Sequence, residues 1–429
     1  MARHHRSIGN VARILAELAI KSRHRLHDFA IGSAAIRSQM YAAALSDAPR
    51  RDSALDKEGG WFLTGPHLES THDTVLIGSG PINLLEALVL SRAGKKCLVV
   101  ETRNQLGGAW GAVSYPGLPP IESACHIWEA DPRIYEFIKQ LLNVTLCKLS
   151  PQPQIRYGFL RVPYEWSVLR DLVRGRFRNT LSMLKRIPIG PKTYLYPRGG
   201  SVELIDRFSL ALTQAKVQVE LNSEVESIDL RSHQPVVRLR DRQVQCQEVV
   251  MTKFAGVGCI VGRDGTEHRP SRVEQRFVHY HLLYDDPSPH RFSYVRLIDH
   301  PLIHRVSDIT SQLAHYEDFD LGRRKIIVVG IHRNTRTELG ELELLDLIQR
   351  TLRDERLIGP DGRCAEYHRV EFIRRPYSGA TRDVFLDSPL RWLTCDDFVV
   401  GVSRNLQRWN ESLNRTKDSL PEETPAAHR

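Results

Sequence analysis

The chain has 429 residues, of which 41% are hydrophobic and 26% are charged, a composition typical of a globular protein with more than one domain. No apolar run approaches the roughly 18–20 residues that a membrane-spanning helix needs, which argues against an integral membrane protein. The net charge of +9 suits an anionic cofactor, an acidic substrate or a membrane surface. Basic and aromatic residues do not alternate as they do in single-strand binders, so the sequence disfavours a nucleic-acid partner.

The cysteines indicate the redox compartment. There are seven of them, an odd number, and no two are spaced as a CxxC pair. This pattern disfavours both a disulfide framework and a zinc site. We therefore expect no metal, and we expect a reducing compartment such as the cytoplasm.

Residues 1–70 are predicted to form a basic helical extension that ends in a linker. Residues 1–45 are rich in Lys and Arg, with only Glu17 and Asp28 as acids, and an apolar stripe at helical spacing predicts an amphipathic helix. Such a helix fits three roles: packing on the body of the protein, peripheral contact with a membrane, or targeting. The run from Ser46 to Gly60 is typical of a linker.

The next stretch predicts a strand, a glycine turn, a helix and a second strand. Thr74–Ile77 is a short apolar run that ends at glycine, which is typical of a buried parallel strand. Pro81–Arg92 has its apolar residues at helical spacing, and Cys97–Val100 is a second apolar run. This order is that of a nucleotide-binding βαβ unit.

The turn Gly78-Ser79-Gly80 lets a pyrophosphate approach the backbone N–H groups at the start of the helix. Glu101 follows the second strand, about 20 residues beyond the turn, where an acidic residue binds the hydroxyls of an adenosine ribose. Asn83 takes the place of a third glycine, and we expect it to loosen helix packing or to shift the helix. A nucleotide-free α/β unit is the alternative.

The run GSGPINLLEALVLSRAGKKCLVVETRNQLGG resembles the amino-terminal signature of the FAD-binding superfamily of amine oxidases, protoporphyrinogen oxidases, phytoene desaturases and UDP-galactopyranose mutases. In that superfamily a glycine pair lets the backbone pass near the cofactor, and Gly107-Gly108 match it. The arginine that often follows the glycine pair in that superfamily, where it contacts the pyrophosphate, is Ala109 here. Arg103 is therefore expected to supply the positive charge instead. The resemblance implies these FAD-binding residues in this stretch: Gly78, Ser79, Gly80, Pro81, Ile82, Glu101, Thr102, Arg103, Gly107, Gly108, Ala109 and Trp110.

Two later segments resemble further motifs of the same superfamily. The segment 196–229 resembles its middle motif, which implies that the backbone of Val225 meets the adenine. The segment 397–410 resembles the closing strand and helix near the flavin. In this segment we expect the strand to end at Gly401, Arg404 to contact the cofactor and Asn410 to start the helix.

The resemblance implies an α/β fold, in which a Rossmann-like FAD-binding domain carries an inserted mixed α+β substrate domain. The implied boundaries are 71–125, 192–264 and 385–417 for the FAD-binding domain, 126–191 and 265–384 for the substrate domain, and 418–429 for a disordered tail.

The candidate substrate-binding residues lie in the run from Asp299 to Asp308. It resembles an HR-containing strand of the substrate domain, which makes His304 and Arg305 the candidates. Because side chains alternate along a strand, we expect only one of them, Arg305, to face an anionic substrate. The alternative is a charged strand on the surface.

The implied function is that of an FAD-dependent oxidoreductase acting on a small molecule, with no side chain identified as catalytic. Two alternatives remain open: a flavin-dependent mutase of a nucleotide sugar, and a cofactor-free binding protein similar to GDP-dissociation inhibitors. Gly256-Val257-Gly258 is not followed by a helical pattern, so we expect a loop there and no second nucleotide-binding domain.

Overall fold

The computed structural model describes residues 68–123, 128–129, 131–157, 160–163, 194–289, 292–298, 300–313, 321–332, 339–393 and 398–418. The predicted N-terminal helix and linker and the tail from residue 419 lie outside these ranges. Among the helices that are described, none has the length and apolar character needed to cross a membrane.

The described elements comprise twenty-one strands, seven α-helices and one short 3₁₀ turn at Gly108–Trp110. In chain order the strands are β1 (Leu68–Ile77), β2 (Cys97–Val100), β3 (Ala112–Val113), β4 (Ile121–Glu122), β5 (Trp128–Glu129), β6 (Leu146–Lys148), β7 (Gln154–Tyr157), β8 (Leu160–Pro163), β9 (Tyr194–Pro197), β10 (Gln218–Glu220), β11 (Val225–Asp229), β12 (Val236–Leu239), β13 (Gln243–Thr252), β14 (Cys259–Val261), β15 (Glu267–His268), β16 (Gln275–Asp285), β17 (Tyr294–Leu297), β18 (Ile303–Asp308), β19 (Arg324–Ile331), β20 (Arg363–Arg374) and β21 (Leu390–Leu393). The helices are α1 (Pro81–Arg92), α2 (Pro132–Leu142), α3 (Gly200–Gln214), α4 (Thr310–Leu313), α5 (Glu341–Asp354), α6 (Gly379–Val384) and α7 (Phe398–Asp418).

The first sheet has nine strands in the order β10-β2-β1-β13-β12-β11-β14-β15, and β21 pairs with β13. Strands β10, β2, β1, β13 and β21 run parallel to one another, while β12 pairs antiparallel with β13 and forms an antiparallel hairpin with β11. All four residues of β2 are buried, as expected for a parallel strand covered on both faces. The α/β class and the Rossmann-like sheet predicted from the sequence are therefore confirmed.

Helices α1, α2, α3 and α7 share one hydrophobic cluster on one face of this sheet. Helix α1 is buried over its first nine residues and has no polar face, because the sheet and the other helices surround it. The antiparallel hairpin contributes to a second cluster with the opposite side chains of β1 and β2.

A buried carboxylate in α1 holds α7 and β21 in place. Glu86 is 1% exposed, and its Oε1 lies 2.7 Å from Nη1 of Arg391 on β21 and also pairs with Arg408 on α7. Arg391 in turn donates from Nε to Glu248 on β13 at 2.6 Å. The network neutralises a charge that would be costly to bury alone.

The second sheet has seven strands in the order β20-β16-β19-β18-β17-β7-β8. Its outer face packs on α5, through alternate residues of β16, β18 and β19. Its inner face packs on Leu118 and on Ile121 of β4, which lie in the segment that follows the glycine pair. The inner face is therefore the one directed at the glycine turn.

Three predictions about local structure need correction. Helix α2, assigned to the substrate domain, packs instead in the same cluster as α1 and α3. The expected closing strand before Gly401 is the start of α7, because a short apolar run does not distinguish a strand from a buried helix. The expected loop after Gly258 contains the short strand β14.

Candidate functional site

The glycine turn joins the end of β1 to the start of α1. Gly80 is the N-cap of α1, with a φ of −60° and a ψ of 150°, and Pro81 occupies the first turn. No atom outside its chain neighbours lies within 4 Å of the position that a Cβ on Gly80 would take. The turn therefore has open space beside the N-terminus of a buried helix, where backbone N–H groups favour an anion.

Glu101 binds the glycine turn directly. Its Oε2 accepts hydrogen bonds from the backbone N–H of Ser79 at 2.8 Å and from the Ser79 hydroxyl at 2.6 Å. Its Oε1 accepts from the backbone N–H of Arg103 at 2.9 Å. The sequence analysis assigned Glu101 to a ribose and missed that it also binds Ser79. The distance between Glu101 and Ser79 is set only when β1 and β2 pair.

The glycine pair packs on the turn. Gly108 has a φ of +56°, and a Cβ there would lie 3.2 Å from the Cα of Gly80, so the two backbones touch. The N–H of Gly107 donates to the carbonyl of Ser79 at 3.1 Å. Glycine at position 108 is therefore required by the protein itself, whereas glycine at position 80 is not.

Arg103 anchors the glycine pair and contacts the second sheet. Its Nη1 donates to the carbonyl of Gly108 at 2.9 Å, and its guanidinium lies 4.9 Å from the ring centre of Phe372 on β20. Phe372 lies 6.5 Å from the ring of His279 on β16. These contacts connect the glycine turn to the inner face of the second sheet.

Asn83 strengthens the helix–strand junction that it was expected to loosen. It is 2% exposed, and its Nδ2 donates to the carbonyls of Ile77 at 2.7 Å and Gly78 at 2.8 Å. The amide thus satisfies carbonyl groups where β1 ends, and α1 begins at Pro81 as predicted.

Replacing Asn83 with glycine is therefore expected to destabilise the protein, although it restores the third glycine of the motif. Two lost hydrogen bonds and the lower helix propensity of glycine together cost about 2–3 kcal/mol. Urea unfolding of the purified variant measures this. The control is Asn143→Gly, since Asn143 is exposed at φ 51°, where glycine fits. Equal stability of the Asn83 variant and the wild type would contradict the role given to the amide.

The remaining residues predicted to bind the cofactor differ in how far they are buried. Val225 is buried at the start of β11, and its carbonyl accepts from the N–H of Gly258 at 3.2 Å. Trp110 packs into the helix cluster, and Thr102 and Ala109 are exposed.

The predicted C-terminal residues all lie on α7. A Cβ on Gly401 would lie 2.5 Å from Cδ1 of Ile82, so the first turns of α7 and α1 are in close contact. Arg404 is exposed. Asn410 is also exposed and lies about three turns beyond the helix start, so the prediction that it starts the helix is wrong.

The predicted pair His304 and Arg305 does not alternate across β18. A register shift between Ile303 and Arg305 places both side chains beside Gly330 of β19. A Cβ on Gly330 would lie 2.6 Å from Cε1 of His304 and 2.9 Å from Cγ of Arg305. This is the effect of a β-bulge, where two residues oppose one on the partner strand. The expectation that only one of them faces inward is therefore wrong.

Arg305 reaches across Gly330 to His279 on the next strand. Gly330 pairs with Arg305 on one side and with His279 on the other, and Nη2 of Arg305 lies 2.9 Å from Nε2 of His279. Because a guanidinium only donates, Nε2 of His279 accepts and its ring is held in that tautomer.

Tyr115 joins the loop after the glycine pair to the second sheet. Its hydroxyl lies 2.9 Å from Nδ1 of His281, and its ring stacks on His368 at 3.8 Å. Burial raises the pKa of Tyr115 to about 12, and burial lowers the pKa of His281 to about 4, so Tyr115 donates and His281 accepts at neutral pH. Sequence reasoning missed His279 and His281, although the alternating run FVHYHLL places both on one face.

Comparison with known proteins concerns the fold. Residues 76–141 match a sequence family described as an NAD(P)-binding Rossmann-like domain. No curated protein matches the chain. A solved structure of putrescine oxidase shares 13% identity, with a TM-score of 0.54, over 80% of this chain and 99% of its own. The chain therefore shares its fold with this putrescine oxidase.

Two further structures of this fold agree. A reduced UDP-galactopyranose mutase shares 11% identity, with a TM-score of 0.60, over 80% of this chain and 96% of its own. A protein from Exiguobacterium sp. assigned as a protoporphyrinogen oxidase shares 11% identity, with a TM-score of 0.54, over 81% of this chain and 99% of its own. The fold implied by the sequence resemblance is therefore confirmed.

The residues at the glycine turn fit an adenine dinucleotide. The space beside Gly80 is open at the position of a Cβ and lies next to the start of α1, where backbone N–H groups favour a pyrophosphate. Glu101 Oε1 accepts a hydrogen bond from the backbone N–H of Arg103, and a carboxylate oxygen has two lone pairs, so it can also accept a ribose hydroxyl.

Proposed function

We propose that the protein is an FAD-dependent oxidoreductase of the amine-oxidase and protoporphyrinogen-oxidase type, acting on a small-molecule substrate. The observation that carries the proposal is the open space at Gly80 at the start of α1, next to Ser79, whose backbone N–H binds the carboxylate of Glu101. The superfamily fold, shared with a putrescine oxidase, supports it.

When bound, FAD supplies the hydride-accepting chemistry. The chain's own residues have three tasks. Backbone N–H groups at Gly80 and the start of α1 hold the pyrophosphate, and Glu101 holds the ribose. The inner face of the second sheet, with His279 and Arg305, orients the substrate towards the cofactor domain.

The test is the cofactor content of the purified full chain. The expected result is a yellow protein that releases FAD on denaturation, identified by its absorbance and mass. Protein that is colourless and fails to bind added FAD would contradict the proposal and favour the cofactor-free binding alternative. With FAD bound, oxidation of a candidate substrate accompanied by bleaching of the flavin supports an oxidoreductase. Isomerisation of a nucleotide sugar without net redox change would instead favour the mutase.

A further inference from the structure

We infer that the edge of β20 pairs antiparallel with the same strand of a second copy of this chain, which forms a dimer with its two-fold axis at Val370. Strand β20 lies at one end of the second sheet, and among the described residues it pairs only with β16. The inference concerns assembly and does not depend on the proposed function.

The edge of β20 is long and regular enough to hold a second strand. The strand has twelve residues, against about five or six in a usual strand. Its pairing with β16 is irregular only between Cys364 and Glu366, so the run 366–374 is free of bulges. A strand at the edge of a sheet bonds its neighbour through alternate residues and directs the remaining N–H and C=O groups outwards. These groups can bond a further strand.

The register with β16 assigns the residues of β20 to the two faces of the sheet. Arg369 lies opposite Tyr280, which packs in the cluster with α5, so Arg369 and Glu371 belong to the outer face. Val370 lies opposite His279 and belongs to the inner face. A two-fold axis perpendicular to the sheet keeps each face continuous across two copies. It therefore allows only those registers in which opposite residues share a face.

An axis at Val370 makes every opposite pair favourable. The pairs between the two copies are Glu366 with Arg374, Tyr367 with Ile373, His368 with Phe372, and Arg369 with Glu371. Both charged pairs join opposite signs, and the tyrosine covers Ile373, which is an exposed apolar side chain in the single copy, at 50%. Pairs of opposite charge and pairs of an aromatic with a branched aliphatic residue stabilise antiparallel strands.

The two neighbouring registers are unfavourable. An axis at Arg369 places this arginine opposite its own copy, and an axis at Glu371 does the same to this carboxylate. Like charges directly opposite each other destabilise a strand pair. Val370 is also the middle residue of the bulge-free run 366–374, so its register gives the longest continuous pairing.

The charges near the axis form a cluster of alternating sign. Within one copy, Nη2 of Arg369 lies 2.7 Å from Oε2 of Glu371, and Nη1 of Arg276 lies 3.2 Å from Oε1 of Glu371. Across the axis, Arg369 and Glu371 of the second copy would add two further charges, each opposite a charge of the other sign. Because such pairs are partly exposed, added salt is expected to weaken the association.

The interface borders the candidate functional site. His368 stacks on Tyr115 at 3.8 Å, and Phe372 lies 4.9 Å from the guanidinium of Arg103. His368 and Phe372 are opposite each other in the proposed pairing. The dimer would therefore restrain the strand that contacts the glycine turn and the loop after it.

The first test is the mass of the full chain in solution, measured by sedimentation at increasing protein concentration and at two salt concentrations. We expect reversible association from 49.0 kDa to twice this mass, which weakens as salt is added. A monomer at every concentration would overturn the inference, since the edge of β20 would then be closed to a second copy. Association that salt leaves unchanged would contradict the charged register.

The second test reverses the charges at the axis. Arg369→Glu and Glu371→Arg should each weaken the dimer by about tenfold or more, because each variant places like charges opposite each other at two symmetric positions. Mixing the two variants should restore association as a heterodimer, since opposite signs then face each other at both positions. One variant carries an affinity tag, so that capture of the untagged variant measures the heterodimer.

The matched control is Arg363→Glu, which reverses a charge on the same strand but beyond the register irregularity. It should leave the association unchanged. Urea unfolding establishes that each variant is folded before the variants are mixed. Folded variants that associate as tightly as the wild type, or that fail to form the heterodimer, would overturn the inference.

Discussion

Replacement of Glu101 by alanine is expected to abolish flavin binding and to destabilise the glycine turn. The carboxylate accepts three hydrogen bonds from the protein, two from Ser79 and one from Arg103, and Ser79 is fully buried. Hydrogen bonds to a charged group contribute about 1.5–3 kcal/mol each, so losing all three is expected to lower the free energy of unfolding by roughly 4.5–9 kcal/mol. The ribose contact is lost with them. Urea unfolding and the ratio of flavin to protein measure the two effects.

Ser79→Ala separates these two roles of the carboxylate. It removes one hydroxyl donor to Glu101 and costs about 1–3 kcal/mol of stability, but it leaves the carboxylate in place for the ribose. We therefore expect Ser79→Ala to keep most of its flavin and Glu101→Ala to lose it. Full flavin content in folded Glu101→Ala protein would show that the cofactor does not use this carboxylate.

Gly80→Val is expected to give soluble, folded protein without flavin. The φ and ψ angles of Gly80 are allowed for valine, and a Cβ there meets no protein atom within 4 Å. The fold should therefore lose about 1 kcal/mol at most, from the poorer N-cap. A pyrophosphate at the start of α1 would in contrast collide with the valine side chain, so binding should be lost. Flavin absorbance and urea unfolding are compared with wild type.

Gly108→Val is the matched comparison for Gly80→Val. Its φ of +56° is strained for valine, and its Cβ would lie 3.2 Å from the Cα of Gly80. We expect this variant to lose both stability and flavin, by about 2 kcal/mol or more for stability. If Gly80→Val retained its flavin, the turn would be an ordinary protein turn and the proposed cofactor position would be wrong.

The sequence by itself determined the elements around the glycine turn. The predicted helix Pro81–Arg92 and second strand Cys97–Val100 have the observed bounds, and the HR-containing run contains β18, at Ile303–Asp308. These predictions succeed because each is a short apolar run or a helical stripe bounded by glycine or proline, so the information is local.

Only the tertiary structure showed which residues, distant in sequence, contact one another around the glycine turn. Asn83 reaches back to the end of β1, Glu101 accepts from Ser79, and the start of α7 packs on Ile82. Each contact joins segments whose distance is set by strand pairing and helix packing, which the local pattern does not contain.

Strand pairing also explains the orientation of His304 and Arg305, the predicted substrate-binding residues on β18. Strict alternation along β18 would separate His304 from Arg305, but the register shift brings them together beside Gly330. A bulge depends on how two strands pair, and the glycine that makes room for it lies on the partner strand. The sequence therefore identified His304 and Arg305 as candidates, while the pairing of β18 with β19 determined that both side chains lie beside Gly330.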